Sequence, residues 1–157
     1  ADERTALMDY LDARKETPMF ALPHAIDGQP LCEIVLPNPP LRTLAQLISP
    51  KTIAAWWAKL HELPMAALDD LEKDVLWNLT DCSVSIRYYS RTTRPSTNMH
   101  TDSSKYTINV ALKNPSRGGE LTAMLDRKLR PIDRREGTAT FHSSNVKHGV
   151  DPVEAGE

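Results

Sequence analysis

His100-Thr101-Asp102 places an imidazole and a carboxylate two positions apart. In extended backbone, residues i and i+2 leave the same face, so the two side chains project together at a separation that suits chelation of one metal ion. A third donor has to arrive from another strand. His148 lies far enough beyond Asp102 for a neighbouring strand to bring it back beside the pair, and His142, six residues earlier, competes for the same role. Two imidazoles and one carboxylate on one face of an octahedron leave three coordination positions open, which suits a reactive metal site. A bare His-x-Asp needs only two residue types at one spacing and is commonly a surface hydrogen-bonding pair, so the surrounding elements must decide.

Those elements change character along the chain. Ala6, Leu7, Tyr10 and Leu11 predict a short amphipathic helix ending near Thr17-Pro18. Pro18, Pro23, Pro30, Pro37, Pro39 and Pro40, with the turn signal Asp27-Gly28, then leave room only for brief extended pieces such as 31–36. Ser49-Pro50 starts a helix on which Ile53, Trp56, Trp57 and Leu60 form an apolar stripe, read as core packing. Pro64 starts another, with Leu68, Leu71, Val75 and Leu79 on its buried face. Beyond Thr80 the pattern turns to alternation. Val84, Ile86 and Tyr88 share one face of a strand; 106–112 and 120–125 follow, and shorter strands are expected at 128–132, 138–142 and 146–153. Helices first and antiparallel strands afterwards predict an α+β protein whose β part is a sandwich or barrel.

The length of 157 residues fits one domain, 1–157, with a helical and Pro-rich support at 1–80 and a strand-rich core at 81–157. With 19 Lys+Arg against 21 Asp+Glu, a net charge of -2 and 40% apolar residues, the composition is that of an ordinary soluble protein, and no apolar run reaches the ~20 residues of a membrane span. Cys32 and Cys82 supply neither a disulfide framework nor a thiolate zinc site, so an intracellular, cytoplasmic location is expected, ahead of a nuclear one. His24 and His61 read as surface residues of the helical half, and Gly118-Gly119 as a turn that needs positive φ.

The ordered set His100-x-Asp102, the strand at 106–112, Gly118-Gly119-Glu120-Leu121, Gly137-Thr138-Ala139-Thr140-Phe141-His142 and His148-Gly149-Val150-Asp151-Pro152-Val153 resembles the Fe(II)- and 2-oxoglutarate-dependent oxygenases, particularly the branch shaped like prolyl 4-hydroxylases. The resemblance covers 81–157. It implies a double-stranded β-helix, or jelly-roll, buttressed by the amino-terminal helices, with Fe(II) held by His100, Asp102 and His148. It favours His148 over His142 as the ligand and makes His142 a pocket-lining or packed histidine. In such enzymes 2-oxoglutarate and O2 are cosubstrates, succinate and CO2 are released, and ascorbate serves as a reductant. A retained Asp102 argues for oxygenation, since related halogenases lack that carboxylate.

Thr107 and Asn109, on the small polar face of their strand, are the cosubstrate-binding candidates together with Tyr88, a role that Tyr89 or Arg87 takes if the register differs by one. The polar loop 90–98 is expected to form a substrate-facing lid. The family's anchor for the far carboxylate of 2-oxoglutarate is a basic residue about ten positions past the second histidine, just beyond Glu157, so the chain is expected to be part of a longer protein that adds this anchor and a last strand. The primary substrate is a protein side chain or a small molecule. Two alternatives stand behind a hydroxylase. One is a nucleic-acid demethylase of the same superfamily, prompted by Arg127-Lys128-Leu129-Arg130 and Arg134-Arg135 but opposed by the acidic net charge and 6% aromatic content. The other is a jelly-roll binding module without turnover. The basic stretch itself reads as a solvated turn.

Overall fold

The computed structural model describes residues 2–15, 23, 28–60, 62 and 81–156. The expected helix after Pro64, together with His24 and His61, lies outside the described residues. The described elements run α1 (Glu3–Asp12), β1 (Glu33–Val35), α2 (Pro40–Leu44), α3 (Pro50–Leu60), β2 (Ser85–Arg87), β3 (Thr97–His100), β4 (Tyr106–Val110), β5 (Arg117–Gly118), β6 (Leu121–Leu125), β7 (Lys128–Pro131), β8 (Ala139–Ser143), β9 (His148–Val150) and β10 (Val153–Ala155). This is the expected α+β composition. The chain forms two compact units, one of Ala1–Arg14 and Ile34–Ile86, the other of Lys15–Glu33 and Arg87–Glu157. None of the helices among the described residues is long and apolar enough to cross a membrane.

In the first unit Asp2 caps α1 by accepting the Thr5 backbone N–H, and Leu7 and Leu11 supply its buried side. The Glu3 carboxylate accepts the backbone N–H of Ser49 at 2.7 Å and the Thr52 hydroxyl, which satisfies donors at the start of α3. The fully buried face of α3 is Ile53, Ala54 and Ala58, whereas Trp56 and Trp57 are only partly covered. The stripe expected through the two tryptophans is thereby rotated toward the small residues, which let a helix approach its neighbours closely.

The second unit holds the strands from β3 onward. Four of them form one sheet in the order β3-β9-β6-β7; β4 pairs with β8 and β10 with β5 in two-stranded sheets. All of these pairings are antiparallel. The described strands therefore make several separate antiparallel sheets and no closed barrel. Closure needs an unbroken ladder around the ring, and strands of two to five residues leave it interrupted. The polar loop after β2 is tied to the unit at Ser90 and Arg94. Ser90 and Arg94 bridge across a tight turn, both are buried, and the Arg94 guanidinium donates to the Pro30 carbonyl at 2.7 Å and to Thr97 Oγ1 at 2.9 Å. Folding a guanidinium inward requires such acceptors, and the Pro30 carbonyl and the Thr97 hydroxyl supply them.

The β3–β9 ladder fixes the geometry of the histidines. Thr97 lies opposite Val150 and His100 opposite His148, so three steps on β3 match two on β9. The extra residue is a β-bulge, and it keeps Thr97 and His100 on the same face. Gly149 accommodates it: a Cβ there would stand 2.7 Å from the Thr97 carbonyl oxygen and 3.1 Å from Met99 Sδ. Gly149→Ala is expected to destabilise the protein by about 1–3 kcal/mol through overpacking, read as a lower midpoint in urea unfolding. An unchanged midpoint would show that the bulge is free to relax.

Candidate metal centre

His100 ends β3, His148 begins β9, and the two are cross-strand partners with ring centroids 4.6 Å apart. Asp102 follows two residues after His100 and turns Oδ1 toward both rings, 3.5 Å from His100 Nε2 and 3.8 Å from His148 Nε2. One ligand atom from each of the three residues lies within 4.8 Å of the other two. Around an ion with bonds near 2.1 Å, adjacent donors sit about 3 Å apart, so contraction by up to about 1 Å per donor closes this set onto a metal.

The tautomers suit that role. His100 Nδ1 lies 2.8 Å from the Asn98 carbonyl and His148 Nδ1 lies 3.1 Å from the Val146 carbonyl. A carbonyl only accepts, so each Nδ1 carries the proton and each Nε2 presents its lone pair to the cluster. Burial pushes the His148 imidazole below its ordinary pKa, with the neighbouring His142 and His100 acting the same way and the Val146 carbonyl and Asp102 opposing. The neutral, ligating form of His148 is therefore the one that the fold favours.

Thr107 and Asn109 both reach this cluster from β4. The Thr107 hydroxyl donates to Asp102 Oδ2 at 2.5 Å and is itself 2.9 Å from Ser104 Oγ. Asp102 is thus held by its back oxygen while Oδ1 faces the imidazoles. Asn109 Nδ2 lies 3.2 Å from His142 Nε2. His142 is opposite Thr107 in the β4–β8 ladder, its ring is 4.5 Å from that of His148, and its Nε2 is 3.7 Å from Asp102 Oδ2. With Nδ1 against the Ser143 carbonyl, its Nε2 accepts the Asn109 amide. His142 therefore flanks the His100–Asp102–His148 set with its lone pair already engaged.

The Tyr88 backbone N–H donates to the Cys32 carbonyl, and Lys15 Nζ lies 4.2 Å over its ring. Arg87 pairs with Glu33 through both Nε and Nη2. Tyr89 extends toward the metal face instead, its hydroxyl 2.9 Å from Thr97 Oγ1. The structure adds Ser104 and the carbonyls of Asn98 and Val146 as supporting groups. No sequence signal marks a backbone carbonyl, and Ser104 lies in an exposed turn. Comparison with protein-family models, with curated proteins and with solved structures finds no match for this chain.

Titration with Co(II) or Mn(II) is expected to show one site that His100→Ala, Asp102→Ala or His148→Ala removes. Thr107→Val weakens it by about 10-fold, as loss of a supporting hydrogen bond does, and Thr107→Ser restores it; equal affinity in all variants would refute the cluster. The pH dependence follows from His148. A ring whose folded pKa is depressed contributes stability that is present above the unfolded value and lost as pH falls through the folded one. Metal binding is accordingly expected to persist through neutral pH and to fall off on acidification below the ordinary histidine range, and pH titration of the Co(II) absorption checks it.

Proposed function

We propose that this chain carries the catalytic centre of an Fe(II)- and 2-oxoglutarate-dependent oxygenase that hydroxylates a C–H bond of a protein side chain or small molecule. The observation that carries the reading is the convergence of two Nε2 lone pairs and one carboxylate oxygen from His100, Asp102 and His148. Three donors on one side of an ion match the 2-His-1-carboxylate face of non-haem Fe(II) oxygenases, which leaves positions for a bidentate keto acid and O2. The order of motifs from His100 to Val153 supports the same reading.

The protein's part in such a reaction is to bind and orient. The Asn98 and Val146 carbonyls fix the imidazole tautomers, and the Thr107 hydroxyl holds Asp102 with one oxygen forward. Asn109 and His142 line the flank of the cluster, where they can meet a carboxylate of the keto acid. Bound Fe(II) would supply the coupling of keto-acid decarboxylation, giving succinate and CO2, to insertion of one oxygen atom of O2 into the C–H bond.

Incubation of the full-length protein with Fe(II), 2-oxoglutarate, O2 and ascorbate is expected to release succinate, with a loss of at least about 100-fold in Asp102→Ala, since a site lacking one ligand loses its metal. Metal binding without succinate would mark a binding module instead. Succinate release that is insensitive to Asp102 would exclude this site.

A further inference from the structure

The basic stretch Arg127-Lys128-Leu129-Arg130 belongs to the β6–β7 hairpin, and the register gives two of its cations a defined place. Residues directly opposite on adjacent antiparallel strands project from the same face. His100 is opposite His148, His148 opposite Ala123, and Ala123 opposite Arg130. One row across four strands thus runs from the two donor histidines, over a single methyl group, to Arg130. Lys128, opposite Leu125, occupies the next place on that face of β7.

With strands about 4.8 Å apart, the Arg130 Cα lies about 10 Å from that of His148, close enough for the long guanidinium side chain to lean toward the metal cluster. The residues that the register sets on this face of β6 are Leu121, Ala123 and Leu125, so β6 places no carboxylate between the histidines and Arg130. Among the described residues Arg130 has one ion pair, with Asp126 at 3.8 Å, and both side chains are more than half exposed. Such a contact is weak and easily exchanged for another anion. Lys128 is exposed and has no ion pair among the described residues.

We propose that Arg130, assisted by Lys128, binds an oxyanion of the primary substrate, so that the substrate class is anionic and its charged group lies across Ala123 from the bond that reacts. The inference rests on the metal-centre reading and adds to it the charge of the substrate. A guanidinium fork accepts a carboxylate or a phosphate equally well in geometry, and the shared chemistry is the oxyanion.

Nuclear relaxation in the Mn(II)-loaded full chain tests this, with the 31P of inorganic phosphate and the 13C of acetate as separate probes. At least one probe is expected to be relaxed from a distance of about 6–12 Å, set by the strand spacing and beyond direct coordination. Arg130→Gln combined with Lys128→Gln is expected to cut that enhancement by at least about fivefold, as loss of charge-assisted bonds requires, with Mn(II) affinity unchanged. The probe that responds identifies a carboxylate or a phosphate as the preferred group. Undiminished relaxation in the double variant, or relaxation from direct coordination alone, overturns the proposal while leaving the metal centre standing. Failure of the wild-type chain to bind Mn(II), or binding that survives Asp102→Ala, overturns both.

Discussion

The arrangement depends on one antiparallel contact, the pairing of β3 with β9 that sets His100 opposite His148. Cross-strand partners are held at a fixed separation by the ladder, so two imidazoles on these positions are brought together by backbone hydrogen bonds and not by attraction between the rings. The bulge in β3 and the missing side chain at Gly149 belong to the same contact. Without the extra residue, Thr97 and His100 would fall on opposite faces, and with a Cβ at 149 the strands could not approach as they do. Asp102 adds the third donor because it follows His100 directly and needs no separate strand to deliver it.

Around that contact the polar groups are arranged in layers. Two backbone carbonyls hold the Nδ1 protons, Thr107 holds the back oxygen of Asp102, Ser104 meets Thr107, and Asn109 meets His142. Each link uses up a hydrogen-bonding position that would otherwise compete for a metal-facing atom, which leaves Nε2 of two histidines and Oδ1 of one carboxylate as the atoms turned inward. The two-stranded β4–β8 sheet therefore serves the four-stranded sheet by positioning its ligands. The hairpin of β6 and β7 continues the four-stranded face outward, so the charge beside the cluster comes from a segment that in sequence looks like an ordinary basic turn.

The legible part of the sequence was the part governed by local periodicity. Alternation from Tyr106 to Val110 and from Leu121 to Leu125 marked strands that the structure contains, and Ser49-Pro50 marked the start of α3. The His-x-Asp spacing announced a chelating pair, although Asp102 lies just past the end of β3 and its carboxylate is oriented by Thr107 from β4. Other expectations failed for tertiary reasons. Trp56 and Trp57 gave way to Ala54 and Ala58 on the buried face of α3, because close approach favours small side chains. Arg94, in a loop whose composition reads as solvent-facing, is fully buried by acceptors distant in sequence, such as the Pro30 carbonyl. Strand order was likewise hidden: β9 enters between β3 and β6, a long-range pairing that periodicity does not encode.

By itself the sequence determined the α+β character, the absence of a long apolar run, and a chelating pair at His100 and Asp102, because composition and period-two spacing act over a few neighbouring residues. The order of motifs already favoured His148 over His142 as the third ligand, and the tertiary structure supplies the physical reason. His148 is the cross-strand partner of His100, whereas His142 sits on a different sheet with its Nε2 engaged by Asn109. Only the tertiary structure decided the places of Thr107 and Arg130, which are set by strand register. Register is a property of paired strands, and it exists only once the chain has folded.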